Sequence, residues 1–216
     1  MWRWPRWVLA VGVCWSGLAF GQGAERAYTI DGAASDIHWL VYKAGALARL
    51  GHNHAIAVPS PRGTVTLDTQ NLAASRFEIM IPVADLVIDD PTLRGTLGED
   101  FASVPTANDI AGTRRNMLSD RVLNGDMFPT IRVTGMGPAG AGDMQTFKLE
   151  VELLGRVVEL TVPTRVTVAP DRVEASGEFE LNHADLGMKP FSVMAGALQV
   201  GEKLSFSYHV VARPAP

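Results

Sequence analysis

Two histidines separated by a single residue, in the run Leu50-Gly51-His52-Asn53-His54, are the sharpest chemical signal in this sequence. On a strand the two imidazoles share one face, about 7 Å apart, and neutral imidazole is a common ligand for zinc or copper. A structural zinc site usually needs four ligands, so the pair is half a site. His38, His183 and Asp185 complete it only if the fold gathers them, and no second cluster stands at ligand spacing. The pattern favours a pair at a strand end, one ring bonded to backbone and the other facing solvent or a ligand's polar head. No metal and no cofactor is expected.

The other candidates for chemistry are thinner. Asn182-His183-Ala184-Asp185 looks like part of a hydrolase site, but no Gly-x-Ser-x-Gly elbow accompanies it. Cys14, the one cysteine, lies in an N-terminal apolar run, so nucleophilic catalysis lacks an agent. The segment reads instead as a turn in which Asn182 or Asp185 bonds local backbone. Asp89-Asp90 and Glu99-Asp100 are read as dipole partners near helix starts, and Arg114-Arg115 as a solvated pair. The chain is expected not to be an enzyme. The alternative is a metal-binding protein or enzyme built on the Gly51–His54 segment.

The elements that must position these residues show a period of two, the mark of half-buried strands. Ile37, Trp39 and Val41 alternate, as do Phe77, Ile79 and Ile81, then Phe147, Leu149, Val151 and Leu153. The same rhythm returns at Val158-Leu160-Val162, Val166-Val168, Val173 to Leu181 and Leu204 to Val210. Turn residues separate the runs at Pro59 to Gly63, Gly135 to Gly142, Leu154-Gly155-Arg156 and Ala169-Pro170-Asp171. About eight or nine strands result, spaced as in a sandwich or barrel. The fold class is all-β and antiparallel, with one helical insertion. In that insertion, Asp90-Pro91 predicts an N-cap and first helical position. Ala107 to Leu118 predicts a helix, and Ser119 a further short turn stopped by Asn124-Gly125. Such an excursion can cover the open end of a barrel.

Composition narrows the function classes. The chain has 216 residues, 47% hydrophobic and 19% charged, enough apolar content to fill a core and exclude general disorder. The formal net charge is −4 with no clustered basic face, which argues against nucleic acid. Residues 1–21 read as a signal peptide: Arg3 and Arg6, an apolar run from Val8 to Phe20, and small residues at Ala19 and Gly21. Its removal leaves 17 basic against 23 acidic residues, a net charge of −6 on an exported, thiol-free protein. The expected location is the periplasm.

The opening Tyr28-Thr29-Ile30-Asp31-Gly32-Ala33-Ala34-Ser35 resembles the first strand of the YceI-like family. Arg115 to Asn124, leading into Met127-Phe128-Pro129-Thr130-Ile131, is similar to that family's most recognisable stretch. Phe179-Glu180-Leu181-Asn182, Leu186-Gly187-Met188 and Val200-Gly201-Glu202-Lys203-Leu204 fit as well. The resemblance runs over residues 27–212 as one domain. Common members carry an extended charged or His-bearing strand after the opening, where this chain has Gly45 to His54.

The resemblance implies a lipocalin-like antiparallel barrel whose apolar lumen holds a polyisoprenoid or a quinone-type lipid, with a membrane as possible lipid source and a homodimer as possible assembly. Burial gives about 0.8 kcal/mol per CH2, so ten such groups gain on the order of 8 kcal/mol before ordering costs. The alternating faces nominate Trp39, Val41, Phe77, Ile79 and Ile81 as lumen residues, together with Phe147, Leu149, Phe179, Phe206 and Tyr208. A register slip of one residue would exchange each for its neighbour. His52 and His54 are placed at the mouth, against a lipid head group.

Overall fold

The computed structural model describes residues 25–138 and 144–215. The predicted signal peptide at 1–21 lies outside the described residues. Among the described residues twelve strands follow one another: β1 (Glu25–Ile30), β2 (Asp36–Ala44), β3 (His54–Ala57), β4 (Arg62–Asp68), β5 (Arg76–Pro82) and β6 (Val87–Ile88), then β7 (Thr130–Met136), β8 (Met144–Leu153), β9 (Arg156–Ala169), β10 (Arg172–Asn182), β11 (Ser192–Val193) and β12 (Leu198–Pro214). Two helices, α1 (Pro91–Arg94) and α2 (Ala107–Leu118), interrupt them between β6 and β7. Among the described residues no helix is long and apolar enough to cross a membrane.

All recorded pairings are antiparallel, in the order β1-β4-β5-β7-β8-β9-β10-β12, and β12 returns to β1 to close an eight-stranded barrel. The long β12 makes closure possible because it serves two neighbours in turn. Its last residues, Ala212 to Pro214, pair with β1, while Gln199 to His209 pair with β2. β3 and β6 extend the sheet beyond β2, so the sheet branches at this side of the barrel.

The strand count exceeds the eight or nine read from periodicity because β6 and β11 span only two residues each and β3 only four, too short to show a period. Val158 to Val162 and Val166 to Val168, read as separate runs, form one strand, β9; Pro163 is accommodated opposite Thr146. The Gly-rich turn expected from Gly135 begins later, since β7 continues to Met136. Gly135 lies inside the strand, paired with Phe77 and Leu149, where a Cβ would stand 2.6 Å from the Phe77 ring. The β8–β9 hairpin turns at Leu154 and Gly155, both at positive φ (53° and 70°), the geometry whose twist matches the flanking strands.

Two apolar clusters lie toward the barrel's ends. At the β1 end, Tyr28, Ile30, Leu67, Val173, Val210 and Ala212 pack together. At the other, α2 delivers Met117, and the turn after it delivers Leu123, against Ile56, Ile81, Val151, Leu153 and Leu204. The helix starts as its sequence dictates: Thr106 and Asp109 form a reciprocal capping box. Asp90 likewise caps α1 by accepting from Thr92 and Leu93 N–H, with Pro91 next. Arg114, read as solvated, is instead half-buried and donates to the carbonyls of Leu86 (2.7 Å) and Ala84, fastening α2 to the turn after β5.

Candidate functional site

Between the two clusters lies a cavity of about 540 Å³, lined almost wholly by inward-facing side chains of the barrel strands. All ten residues nominated for the lumen stand on its wall. The pleat explains why: alternate residues share a face, and pairing carries that face from strand to strand. Phe179 pairs with Phe206, and Phe206 with Trp39, so three aromatic rings line up across β10, β12 and β2. Phe179 stacks on Phe206 with ring centroids 5.0 Å apart and 5° between planes, and Trp39 lies 6.1 Å beyond. Phe77 and Phe147 meet at 6.1 Å across the barrel's other side, and Ile79, Ile81, Leu149 and Val41 fill the wall between. Cross-strand aromatic pairs of this kind hold register as well as surface.

Polar groups make up little of the wall, and two of them, deep in the lumen, pair with each other. The Tyr208 hydroxyl lies 2.6 Å from Thr164 Oγ1. Burial pushes the Tyr208 phenol above its ordinary pKa, against the opposing pull of that hydrogen bond, so it stays neutral at physiological pH. A neutral phenol bonded to a threonine presents little charge to an apolar guest.

The end covered by α2 is different in character. His52 and His54 both reach the cavity, with ring centroids 6.3 Å apart. The Asn53 between them points the other way and is buried. Its Oδ1 accepts from Lys43 N–H at 3.0 Å and its Nδ2 donates to the Asp100 carbonyl at 2.9 Å. This anchor fixes the strand end so that both imidazoles face α2. There, Thr113 Oγ1 lies 3.3 Å from His54 Nε2, and Asp109 Oδ2 lies 3.7 Å from His52 Nε2. Two hydrogen bonds from Thr106 hold the Asp109 carboxyl below the usual range, with smaller help from the nearby histidines.

Behind His54 sits an arrangement that sequence reasoning missed. Asp89, read as a helix-dipole partner, is instead a fully buried carboxylate. Oδ2 lies 2.6 Å from His54 Nδ1, and Oδ1 accepts from Ala55 N–H at 3.0 Å and from Arg94 at 2.5 Å. Arg94, equally buried, also donates to the carbonyls of Asn53 (2.8 Å), Phe101 (2.8 Å) and Ser103 (2.7 Å). Burial alone would raise the Asp89 pKa. The hydrogen bonds from His54, Ala55 and Arg94 outweigh it and hold the carboxyl below its ordinary value. The available signal was positional: once Asp90 caps α1, Asp89 cannot do the same task, and it takes φ 57° to turn its side chain inward.

The residues that would have completed a metal set are engaged elsewhere. His38 bonds Asp36 at 2.6 Å, and buried His183 bonds the Glu202 carbonyl at 2.9 Å. Asp185 accepts from Asn182 N–H at 2.7 Å within the turn expected for that segment. Among the described residues no group of three or more His, Cys, Asp or Glu side chains is placed to hold a metal ion.

Residues 28–212 match the family model of the YceI-like domain. Among solved structures, BcnA of Burkholderia cenocepacia superposes with a TM-score of 0.61 at 13% identity, covering 84% of this chain and 98% of that one. A polyisoprenoid binding domain from Saccharophagus degradans, implicated in plant cell wall breakdown, gives 0.56 at 13% identity, covering 88% and 99%. A Campylobacter jejuni YCEI protein gives 0.53 at 7% identity, covering 74% and 85%. At such identities the likeness is one of fold. No curated protein matches the chain.

Proposed function

This chain belongs to the YceI-like domain family, and we propose that it is an exported, non-catalytic binding protein that holds a polyisoprenoid or similar long apolar lipid in its barrel lumen. The observation that carries this reading is the cavity: about 540 Å³ of space with an almost entirely apolar wall. An apolar void of roughly 150 Å³ takes up benzene. By that measure the lumen has room for about twenty carbons, or about four isoprene units. Transfer of even half of these from water is favourable by about 8 kcal/mol before ordering costs, enough to hold a lipid that water rejects.

The same reading assigns the α2 end as the mouth, with His52 and His54 beside the ligand's head. The polyisoprenoid binding domain from Saccharophagus degradans, similar in fold, supports the ligand class. Residues 1–21 act as the signal peptide and are removed, residues 27–212 form the lipid-binding domain, and the mature protein works in the periplasm with a membrane as its lipid source.

Native mass spectrometry of protein purified from envelope extract tests the proposal. The expected result is a co-purified mass of several hundred daltons that partitions into organic solvent. Protein that always arrives empty and takes up no added isoprenoid would overturn the carrier role. The N-terminus of the same sample, if it still begins at Met1, would overturn processing.

A further inference from the structure

An apolar tail has no use for the carboxylate of Asp89, yet that side chain is fully buried and both its oxygens are committed. An ionised carboxylate only accepts hydrogen bonds. At 2.6 Å from Asp89 Oδ2, His54 Nδ1 must therefore carry a proton. In the neutral imidazole this leaves Nε2 as a bare acceptor. The charge of Asp89 is already balanced by Arg94, whose guanidinium is buried against Oδ1 at 2.5 Å. The carboxylate thus stays ionised without requiring His54 to be a cation. Its Nε2 stands on the cavity wall near Thr113 Oγ1, at 3.3 Å, a long and easily displaced contact.

We propose that the Asp89–His54 pair selects ligands presenting a hydroxyl at the head, an alcohol, phenol or hydroquinone, because His54 Nε2 is held as an acceptor facing the mouth of the lumen. A ligand hydroxyl donates to Nε2 and takes the place of Thr113. A carbonyl or ether head has no proton to give and meets a lone pair. This inference rests on the lipid-binding reading above and goes beyond it in naming the head-group chemistry.

The arrangement contains its own reversal. Asp89 Oδ1 is pinned by two donors, Ala55 N–H and Arg94, so in Asp89→Asn the amide oxygen takes that side. The amide NH2 then faces His54 Nδ1, which becomes the acceptor, and the proton moves to Nε2. The mouth now donates.

The test uses three ligands with equal tails: geranylgeraniol, its methyl ether and the hydrocarbon phytane, each titrated against a fluorescent apolar probe bound to the mature protein. The wild type is expected to bind the alcohol about tenfold more tightly than the ether, the value of one good hydrogen bond in a buried setting. Asp89→Asn is expected to remove or invert that ratio while phytane binding holds. Thr113→Val, which removes the hydroxyl beside His54 Nε2 but keeps the Asp89–His54 contact, is expected to retain the preference for alcohol. Imidazole nitrogen chemical shifts of the wild type give a readout independent of any variant's folding, with His54 protonated at Nδ1 and its Nε2 shifted by geranylgeraniol but not by the ether. Equal binding of all three ligands by the wild type would overturn the head-group inference and leave the lipid-binding reading standing. Failure to bind any of them would overturn both. A His54 protonated at Nε2 alone would overturn the inference whatever the affinities.

Discussion

Ala175→Phe should convert this barrel into a shorter measuring stick. Ala175 stands on the cavity wall and pairs with Val166 and Val210, close to the cluster at the β1 end, far from the histidines. A phenyl ring needs about the space that benzene occupies in a void of roughly 150 Å³. It therefore takes somewhat more than a quarter of the 540 Å³ lumen, displacing about six carbons of a guest. At about 0.8 kcal/mol each, the gross loss is about 5 kcal/mol. The tail recovers part of this by packing on the new ring, leaving a net loss of about 1.4–2.8 kcal/mol, or ten- to a hundredfold in Kd.

The substitution fills empty space, so it avoids the strain of overpacking a full core, and circular dichroism and the thermal transition should be unchanged. Displacement of a fluorescent probe by geranylgeraniol and by geraniol, whose chain is half as long, reads the effect. Geranylgeraniol should lose affinity by the amount given, and geraniol should hold within about threefold. If both ligands weaken equally, or neither does, the tail does not run from the histidine end toward the β1 end and the assignment of mouth and depth is wrong.

Other expectations follow from the buried ion pair and the tight turn. Arg94→Met leaves Asp89 buried without its guanidinium and three carbonyls without their donor, and urea unfolding should show a loss of about 3–5 kcal/mol. Because the folded-state pKa of Asp89 is depressed, its stabilisation is present above the unfolded carboxyl value, about 3.9, and is lost as pH falls through the folded one. The stability gap between wild type and Arg94→Met should therefore narrow below about pH 4; a gap that stays constant across that range would show that Asp89 is not the partner that matters. Gly155→Ala, at φ 70° with a Cβ 2.7 Å from the Phe128 ring, should cost about 1 kcal/mol or more in thermal unfolding without altering probe binding. An unchanged transition would mean that the hairpin turn relaxes freely.

Much of this molecule was legible in the residues alone. Period-two alternation picked out residues that stand on the cavity wall on β2, β5, β8, β10 and β12, because burial on one side of a pleated strand leaves its record every second residue. Asp90-Pro91 announced its helix, since capping is a contact between near neighbours in the chain. The place of Gly135 inside β7 was not legible, because the Phe77 ring that leaves no room for a Cβ there lies more than fifty residues away along the chain.

The Asp89–Arg94–His54 group belongs to the same class. Asp89 and Asp90 are identical side chains in adjacent positions, and only the pairing of β3 with β6 brings Asp89 beside Ala55 and His54 while Asp90 remains at the surface as a cap. The sequence by itself determined which faces are apolar and where the local turns and caps fall, since these depend on neighbours within a few residues. Tertiary structure alone decided that the apolar faces enclose a void instead of meeting, and that a buried carboxylate stands behind one histidine at its mouth. Both outcomes depend on distances between segments joined only through the closed sheet.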